Sequence, residues 1–426
     1  MKTPSTFNSN RYLRLLLVLL AIAGCLFAIR SAVVFGFSRL LATYALTARN
    51  PSAAQRAVAL TPKDAEAHFA NGLVLASANT MREAVTDLER AVALRPADYT
   101  LWQQLGLLRD QAGDTAGAIA AFDEAIRRAP FYSQPRWNRG NVLLRKGEYE
   151  AAFKDLSEAA ESNPELVPSL LDLAWGISKG DMSLTERLAP IKSDKMRLAF
   201  AKLLARQGRA QDAIVQIRSA GPLSDATRKE LIDQLLLKGA YPEAFELWKG
   251  ADGRNKDQGA GATSIYDGGF EGTLAFADNG FGWRVPRGLK GISLSLDSSQ
   301  PHSGSKDLRV EFGGDSSPAW MVISQLIMVA PSQRYRISFA SRSQDLVTGG
   351  LPIIVINDAS GDLKRLGQSA PLGKGTSDWQ RSSFEFATTP ATNTVVLSLQ
   401  RENCTTSPCP IFGSISLDSF SVQQIH

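Results

Sequence analysis

Hydrophobic positions fall into three regimes along this chain. Leu15 to Ile29 is an unbroken apolar run, preceded by Lys2, Arg11 and Arg14 and closed by Arg30. From Lys63 to Pro164 apolar residues recur with helical spacing, and small residues return at a fixed step. Pro62, Pro96, Pro130 and Pro164 are each 34 residues apart. Gly72, Gly106 and Gly140 keep that step, as do Ala84, Ala118 and Ala152, and Ala91, Ala125 and Ala159, with Leu88, Phe122 and Leu156 between the alanines. Beyond Thr263 the alternation changes to period two, punctuated by Gly, Pro, Ser and Asp.

Each column has a physical reason in a helix-turn-helix unit. Gly and Ala are small where two antiparallel helices cross, Leu or Phe fills the gap between neighbouring repeats, and Pro stops the second helix. The pattern predicts three good hairpins over Lys63 to Pro164, with Pro51 to Leu60 as a leading cap helix. Past Pro164 the period loosens, yet Gly208 to Ala213 and Gly239 to Ala244 repeat the spacing of Gly113 to Ala118 and Gly147 to Ala152, which predicts irregular hairpins up to Lys249. The glycine-rich stretch 251–263 reads as a linker. After it, Leu308 to Phe312, Tyr335 to Phe339 and Val395 to Leu399 are strands with one apolar face, and Pro352 to Ile356 is a more buried one. Eight to ten such strands predict an antiparallel sandwich. The expected fold class is multidomain α plus β: 1–45 an N-terminal tail and membrane anchor, 46–250 a helical solenoid, 251–263 a linker and 264–426 a β-sandwich.

The N-terminal run is short enough to be a signal-peptide core and long enough, with Tyr12 and Leu13 upstream and apolar residues to Phe37 downstream, to be an uncleaved span with Arg14 and Arg30 snorkelling. Ile22-Ala23-Gly24-Cys25 also resembles the lipobox of bacterial lipoproteins, although Leu26 to Ile29 stays apolar past the cysteine. A signal anchor that exports the rest is the working expectation: a bacterial inner membrane, single-pass protein with its globular part outside the cytoplasm, in the periplasm. Cys404 and Cys409 fit that space as a disulfide around a small loop; two free thiols in a cytosolic loop are the alternative.

Composition narrows the chemistry. Lys and Arg exceed Asp and Glu by 47 to 42 over 426 residues, too diffuse an excess for a nucleic-acid binder. Three histidines and three cysteines form no zinc-type spacing, and no phosphate loop, dinucleotide fingerprint or nucleophile elbow occurs. No catalytic residue is predicted, and the chain reads as a non-enzyme.

Two family resemblances sharpen the expectation. Trp102, Leu105, Gly106, Ala118, Phe122 and Pro130 meet the pattern of the tetratricopeptide repeat (TPR); the flanking units depart from it, with His68 and Arg136 in the tryptophan column. The resemblance implies a solenoid that holds a partner protein on the face of its first helices. On that face it places Gln134, Trp137, Asn141 and Arg145 of the third repeat and Gln103 and Asp110 of the second. The second resemblance covers nearly all of the sandwich segment. Asp267-Gly-Gly-Phe-Glu271, Gly282-Trp283, Ser303 to Leu308, Val329-Ala-Pro331 with Tyr335, Trp379-Gln380 with Phe384, and Leu417-Asp418 are similar to the jelly-roll carbohydrate-binding modules of the galactose-binding-like superfamily. In those modules an opening Glu and a closing Asp often hold a structural calcium ion, which implies Glu271 and Asp418 as ligands here, with a carbonyl of Ser305 or Lys306. Trp283 and Trp379 occupy columns that are usually core. Trp320 is the stacking candidate for sugar, while Arg336, Arg342 and Gln400 point away from core residues Tyr335, Ile337, Phe339 and Leu399. A sandwich that has lost its sugar site and touches only protein is the alternative.

The resulting expectation is a non-catalytic, membrane-anchored envelope scaffold. Its TPRs take an envelope protein partner and its sandwich takes glycan, as an accessory to exopolysaccharide or cell-surface polysaccharide assembly. A glycan-active enzyme with unrecognised acids and a purely structural adaptor are the other readings.

Overall fold

The computed structural model describes residues 9–249, 263–274, 281–314, 321–360, 362–404 and 408–425. Trp320 and the expected linker, apart from Thr263, lie outside the described residues. The chain divides into two compact units, Met1–Ile191 and Lys192–His426.

The first unit is helical: α1 (Ser9–Ala48), α2 (Pro51–Leu60), α3 (Ala65–Ser77), α4 (Met81–Leu94), α5 (Tyr99–Gln111), α6 (Thr115–Arg128), α7 (Ser133–Lys146), α8 (Tyr149–Ser162), a 3-10 turn at Pro164–Leu166, α9 (Val167–Ser178) and α10 (Met182–Leu188). The 34-residue step corresponds to the hairpins α3/α4, α5/α6 and α7/α8. Asp64, Asp98 and Asp114 start α3, α5 and α6 by accepting the N–H of Glu66, Thr100 and Gly117.

The glycine column is explained by the residue that covers it. A Cβ on Gly72 would meet Leu88 at 2.0 Å, on Gly106 the Phe122 ring at 2.6 Å, and on Gly140 the Leu156 side chain at 2.8 Å. Leu88, Phe122 and Leu156 therefore seal the crossing inside their own hairpin, rather than the gap between neighbouring repeats that their spacing suggested. Gly106→Ala is expected to cost about 1–3 kcal/mol, because the new Cβ would press on three atoms of the buried Phe122 ring at 2.6–2.9 Å. Urea unfolding of the variant checks this, and wild-type stability would show that the ring yields.

The tryptophan column is also more regular than its letters. Trp102 Nε1 donates to the carbonyl of Pro96 at 2.9 Å, His68 Nε2 lies 3.1 Å from that of Pro62, and Arg136 Nη1 donates to that of Pro130. What repeats is a flat side chain with an N–H that reaches the carbonyl of the proline six residues earlier.

One further hairpin precedes those expected. Ser38 stands 34 residues before Gly72 and Ala57 stands 34 before Ala91. The Ser38 hydroxyl donates to Ala57 O at 2.9 Å and lies 2.6 Å from Thr61 Oγ1, while Ala42 and Ala45 of α1 are buried among Ala53, Ala54 and Ala57 of α2. So α2 is not a lone cap, and α1 is more than an apolar run; its last turns are the first helix of a repeat. Asp64, almost fully buried, ties this end together by facing Arg39 of α1 and Arg95 beyond α4. The helical segment Leu13–Ala48 reaches a mean hydropathy of 2.4 over its most apolar 18 residues and is long and apolar enough to cross a membrane.

The second unit begins with α11 (Asp194–Arg206), α12 (Ala210–Arg218), α13 (Asp225–Leu237) and α14 (Tyr241–Lys249) and continues into strands β1 (Ile292–Asp297), β2 (Asp307–Gly314), β3 (Ile323–Met328), β4 (Arg334–Thr348), β5 (Pro352–Asp358), β6 (Arg365–Gln368), β7 (Gly375–Ala387), β8 (Thr394–Arg401) and β9 (Ile411–Ile425). Helices extend to Lys249, but the boundary between compact units falls at Ile191/Lys192 instead of in the glycine-rich stretch. The reason is aromatic packing: Phe245 of α14 meets Phe281 at 4.9 Å, Trp248 meets Tyr266 at 5.1 Å, and Tyr241 donates its hydroxyl to Ala359 O at 2.6 Å.

All strand pairs are antiparallel, in a five-stranded sheet β1-β2-β9-β4-β7 and a four-stranded sheet β3-β8-β5-β6. Leu308, Val310 and Phe312 of β2 and Tyr335, Ile337 and Phe339 of β4 bury one face of the larger sheet against Leu397 and Leu399 of β8. Trp283 belongs to that core, its ring 4.9 Å from Phe270 and its N–H given to Asp267 O.

Candidate functional site

The outer face of the five-stranded sheet gathers the polar chemistry of the second unit. Along β2, Asp307, Arg309 and Glu311 alternate with the core residues and so face outward. Register places Arg309 opposite Ser416 of β9, Ser416 opposite Arg342 of β4, and Ala340 of β4 opposite Arg381 of β7. Trp379, half-buried two residues before Arg381, lies beside them. The Arg342 guanidinium sits 5.1 Å over the Trp379 ring, and the His302 ring meets it edge-on at 5.6 Å. Trp379 Nε1 donates to Gln300 O at 3.0 Å, and Arg342 Nη1 to Gln300 Oε1 at 2.8 Å. Arg381 Nε donates to His302 Nε2 at 3.4 Å, which leaves the ring hydrogen on Nδ1 for Ser419 Oγ at 2.9 Å. The result is an indole ring with the Arg342 guanidinium over it, its N–H fixed on Gln300, and the His302 ring and Ser419 hydroxyl beside it.

Under this face lies Asp307, fully buried, with both carboxylate oxygens lacking a well-formed hydrogen bond. Arg342 is 3.9 Å from it. Burial pushes its pKa up; the Ser416 hydroxyl and Arg342 pull the other way, and Asp297 and Asp418 add to the rise. Asp297, by contrast, is held below the usual carboxylate range by the Ser299 N–H and hydroxyl, with Arg309 and Arg342 adding to the effect.

Of the expected sugar residues within the described part of the chain, Arg336, Arg342 and Gln400 are not brought together. Arg342 is in the cluster. Arg336 lies further along β4 and pairs with Glu385 at 2.7 Å, next to Arg334. Gln400 is on β8, in the other sheet, where it donates to Ser398 Oγ and faces Arg365. Trp379 is not core as its column suggested, and the signal was present in its parity. Phe384 and Phe386 set the inward phase of β7, and Trp379, five and seven residues earlier, has the outward phase.

Glu271 and Asp418 do come close, but as hydrogen-bond acceptors. Glu271 takes the N–H and hydroxyl of Ser305 at 2.8 and 2.5 Å, which hold its pKa low. Asp418 takes the N–H of Ser303 at 2.8 Å and of Ser419 at 2.5 Å. Lys306 Nζ bonds the carbonyls of Glu271 and Gly272, both at 3.2 Å, so an ammonium already sits at the carbonyls nearest Glu271. Among the described residues no group of three His, Cys, Asp or Glu is placed to hold a metal. The residues as arranged do not fit a calcium shell of six to eight oxygens.

In the first unit, Gln103 and Asp110 lie on α5 and Gln134, Trp137, Asn141 and Arg145 on α7. Arg145 Nη2 reaches Asp110 Oδ2 at 2.5 Å and so links the first helices of successive repeats. Gln134 bonds Asn138 at 3.1 Å, and Asn141 bonds the Trp137 carbonyl at 2.8 Å. Gln134 and Arg145 are exposed, and the other four are half-buried.

Comparison with known proteins agrees with the helical part. A tetratricopeptide repeat family model matches residues 39–99 and 104–166, so the match begins in the last turns of α1 and runs through the hairpins α3/α4, α5/α6 and α7/α8. Protein FlbA of Caulobacter vibrioides is 33% identical over a 145-residue alignment that covers 32% of this chain. The chain spans about a quarter (24%) of the length of this curated relative. A crystal structure of MamA is 25% identical and covers 27% of this chain and 67% of its own, with a TM-score of 0.26. A solved structure described as "CBM4 structure and function" is 16% identical and covers 38% of this chain and 99% of its own, with a TM-score of 0.29.

Proposed function

We propose that this protein is a non-catalytic, membrane-anchored scaffold of the bacterial cell envelope, whose TPRs hold a partner protein and whose β-sandwich holds glycan, as an accessory to cell-surface polysaccharide assembly. Anchoring is assigned to the exposed apolar turns of α1, with the globular part outside the cytoplasm. Partner binding is assigned to the α5 and α7 face with Gln103, Asp110, Gln134, Trp137, Asn141 and Arg145. Glycan is assigned to the outer sheet face, and the observation that carries it is half-buried Trp379, with the Arg342 guanidinium over its ring and the His302 ring tilted against it. Binding of the detergent-purified chain to envelope polysaccharides on an array is the test. Trp379→Ala is expected to weaken retention about tenfold or more, the worth of one lost stacking platform. A folded wild type that retains no glycan overturns the reading.

Asp307 favours a second reading, a glycan-active enzyme, because burial keeps a carboxyl protonated to higher pH as a general acid requires. Its complete burial argues against contact with substrate. Turnover of a polysaccharide that vanishes in Asp307→Asn would promote this reading.

A further inference from the structure

We propose that Cys404–Cys409 is a thiol–disulfide exchange site, in which Arg401 holds Cys409 as the leaving thiolate when a dithiol protein attacks Cys404. The two cysteines are joined in the structure with Cα atoms 6.1 Å apart, and both residues are half-buried. Arg401, at the end of β8, is 4% exposed. Its Nη2 lies 3.1 Å from Cys409 Sγ and 4.0 Å from Cys404 Sγ, so the buried cation favours one sulfur. The guanidinium cannot swing away: Nε donates to Gly350 O at 3.2 Å, and Nη2 to Thr348 Oγ1 at 2.8 Å and Cys409 O at 3.0 Å. Burial disfavours the charge of this guanidinium, and a negative charge on the sulfur 3.1 Å away favours it. A cation beside a partly exposed sulfur is the setting that makes a cysteine reactive and a good leaving group.

The floor of the site is bare backbone. A Cβ at Gly350 would lie 2.7 Å from Cys404 Sγ and 2.4 Å from Glu402 O, so the bond lies flat on the turn between β4 and β5.

The exchange balances as follows. A thiolate of the partner attacks Cys404 Sγ, a mixed disulfide forms, and the Cys404–Cys409 bond breaks with its electron pair left on Cys409 beside Arg401. The partner's second thiol, deprotonated, displaces Cys404. The partner leaves as a disulfide, Cys404 takes a proton from water, and Cys409 stays a thiolate, so the two electrons pass from the dithiol to this chain.

The test uses the full chain in detergent, reduced with dithiothreitol, alkylated with iodoacetamide at pH 6.5 and mapped by mass spectrometry, which reads Cys25 on a separate peptide. Cys409 is expected to react about tenfold faster than Cys404, one pKa unit of thiolate advantage. Arg401→Gln is expected to erase that difference. Because a buried arginine can be needed for folding, Cys404→Ala and Cys409→Ala chains that keep Arg401 provide a second comparison of each thiol alone. Equal rates, or a faster Cys404, in those single-thiol chains would overturn the proposal, as would a native disulfide that a thioredoxin-type dithiol protein leaves intact.

Discussion

Asp307→Asn is expected to stabilise the C-terminal unit at neutral pH. Asp307 is fully buried and its pKa is raised by that burial. A carboxyl whose folded pKa lies above its unfolded value costs the fold nothing below the unfolded value, near about pH 4, and costs more as pH climbs through the folded value. Asn keeps the shape and removes the charge. The expected gain is about 1–3 kcal/mol at neutral pH, the desolvation cost of an unsatisfied buried group, shrinking toward zero in acid. Thermal unfolding of both proteins across that range tests it, and a variant less stable than wild type at neutral pH would mean that Asp307 has a compensating partner. If the variant is more stable yet loses glycan, the acid is held in place by what lies above it, with Arg342 as the link at 3.9 Å.

Arg139→Met is expected to cost the repeat unit about 3 kcal/mol. Arg139 grips Asp155 with two hydrogen bonds of 2.6 Å and reaches Asp123 with its third nitrogen, and these partners hold its proton above the ordinary arginine value. The Asp155 side chain is 4% exposed, so the variant strands a buried carboxylate. Adding Asp155→Leu is expected to recover most of the loss, since two apolar groups replace the pair. Equilibrium denaturation of the single and double variants measures the coupling. A single-variant loss under about 1 kcal/mol would show that Asp155 finds water or another donor.

Close backbone crossings are what made the repeats legible in sequence. Gly72, Gly106 and Gly140 tolerate no Cβ, so that column is nearly invariant in the chain and its step can be read directly. His68 and Arg136 looked like departures because letters were compared; the shared property is an N–H at the right reach. The hairpin of α1 and α2 was hidden because Ser38 replaces Gly inside an apolar helix that already had another explanation. In the sandwich, alternation tells inward from outward but not which of two sheets a strand joins. Gln400 was therefore grouped with Arg342 across a boundary that only pairing reveals. The cluster at Trp379 draws on β4, β7, β9 and the segment with Gln300 and His302, and nothing local in the sequence joins these.

The helix α1 runs unbroken from its exposed apolar turns to the turns that carry Ser38, Ala42 and Ala45 into the first hairpin. Its two ends share one azimuth. Each residue of an α-helix turns about 100° and rises about 1.5 Å, so one residue inserted between them would swing the outer face by roughly a quarter turn against the repeats. Seated in a bilayer, such a shaft would give the repeats a compass bearing as well as a height.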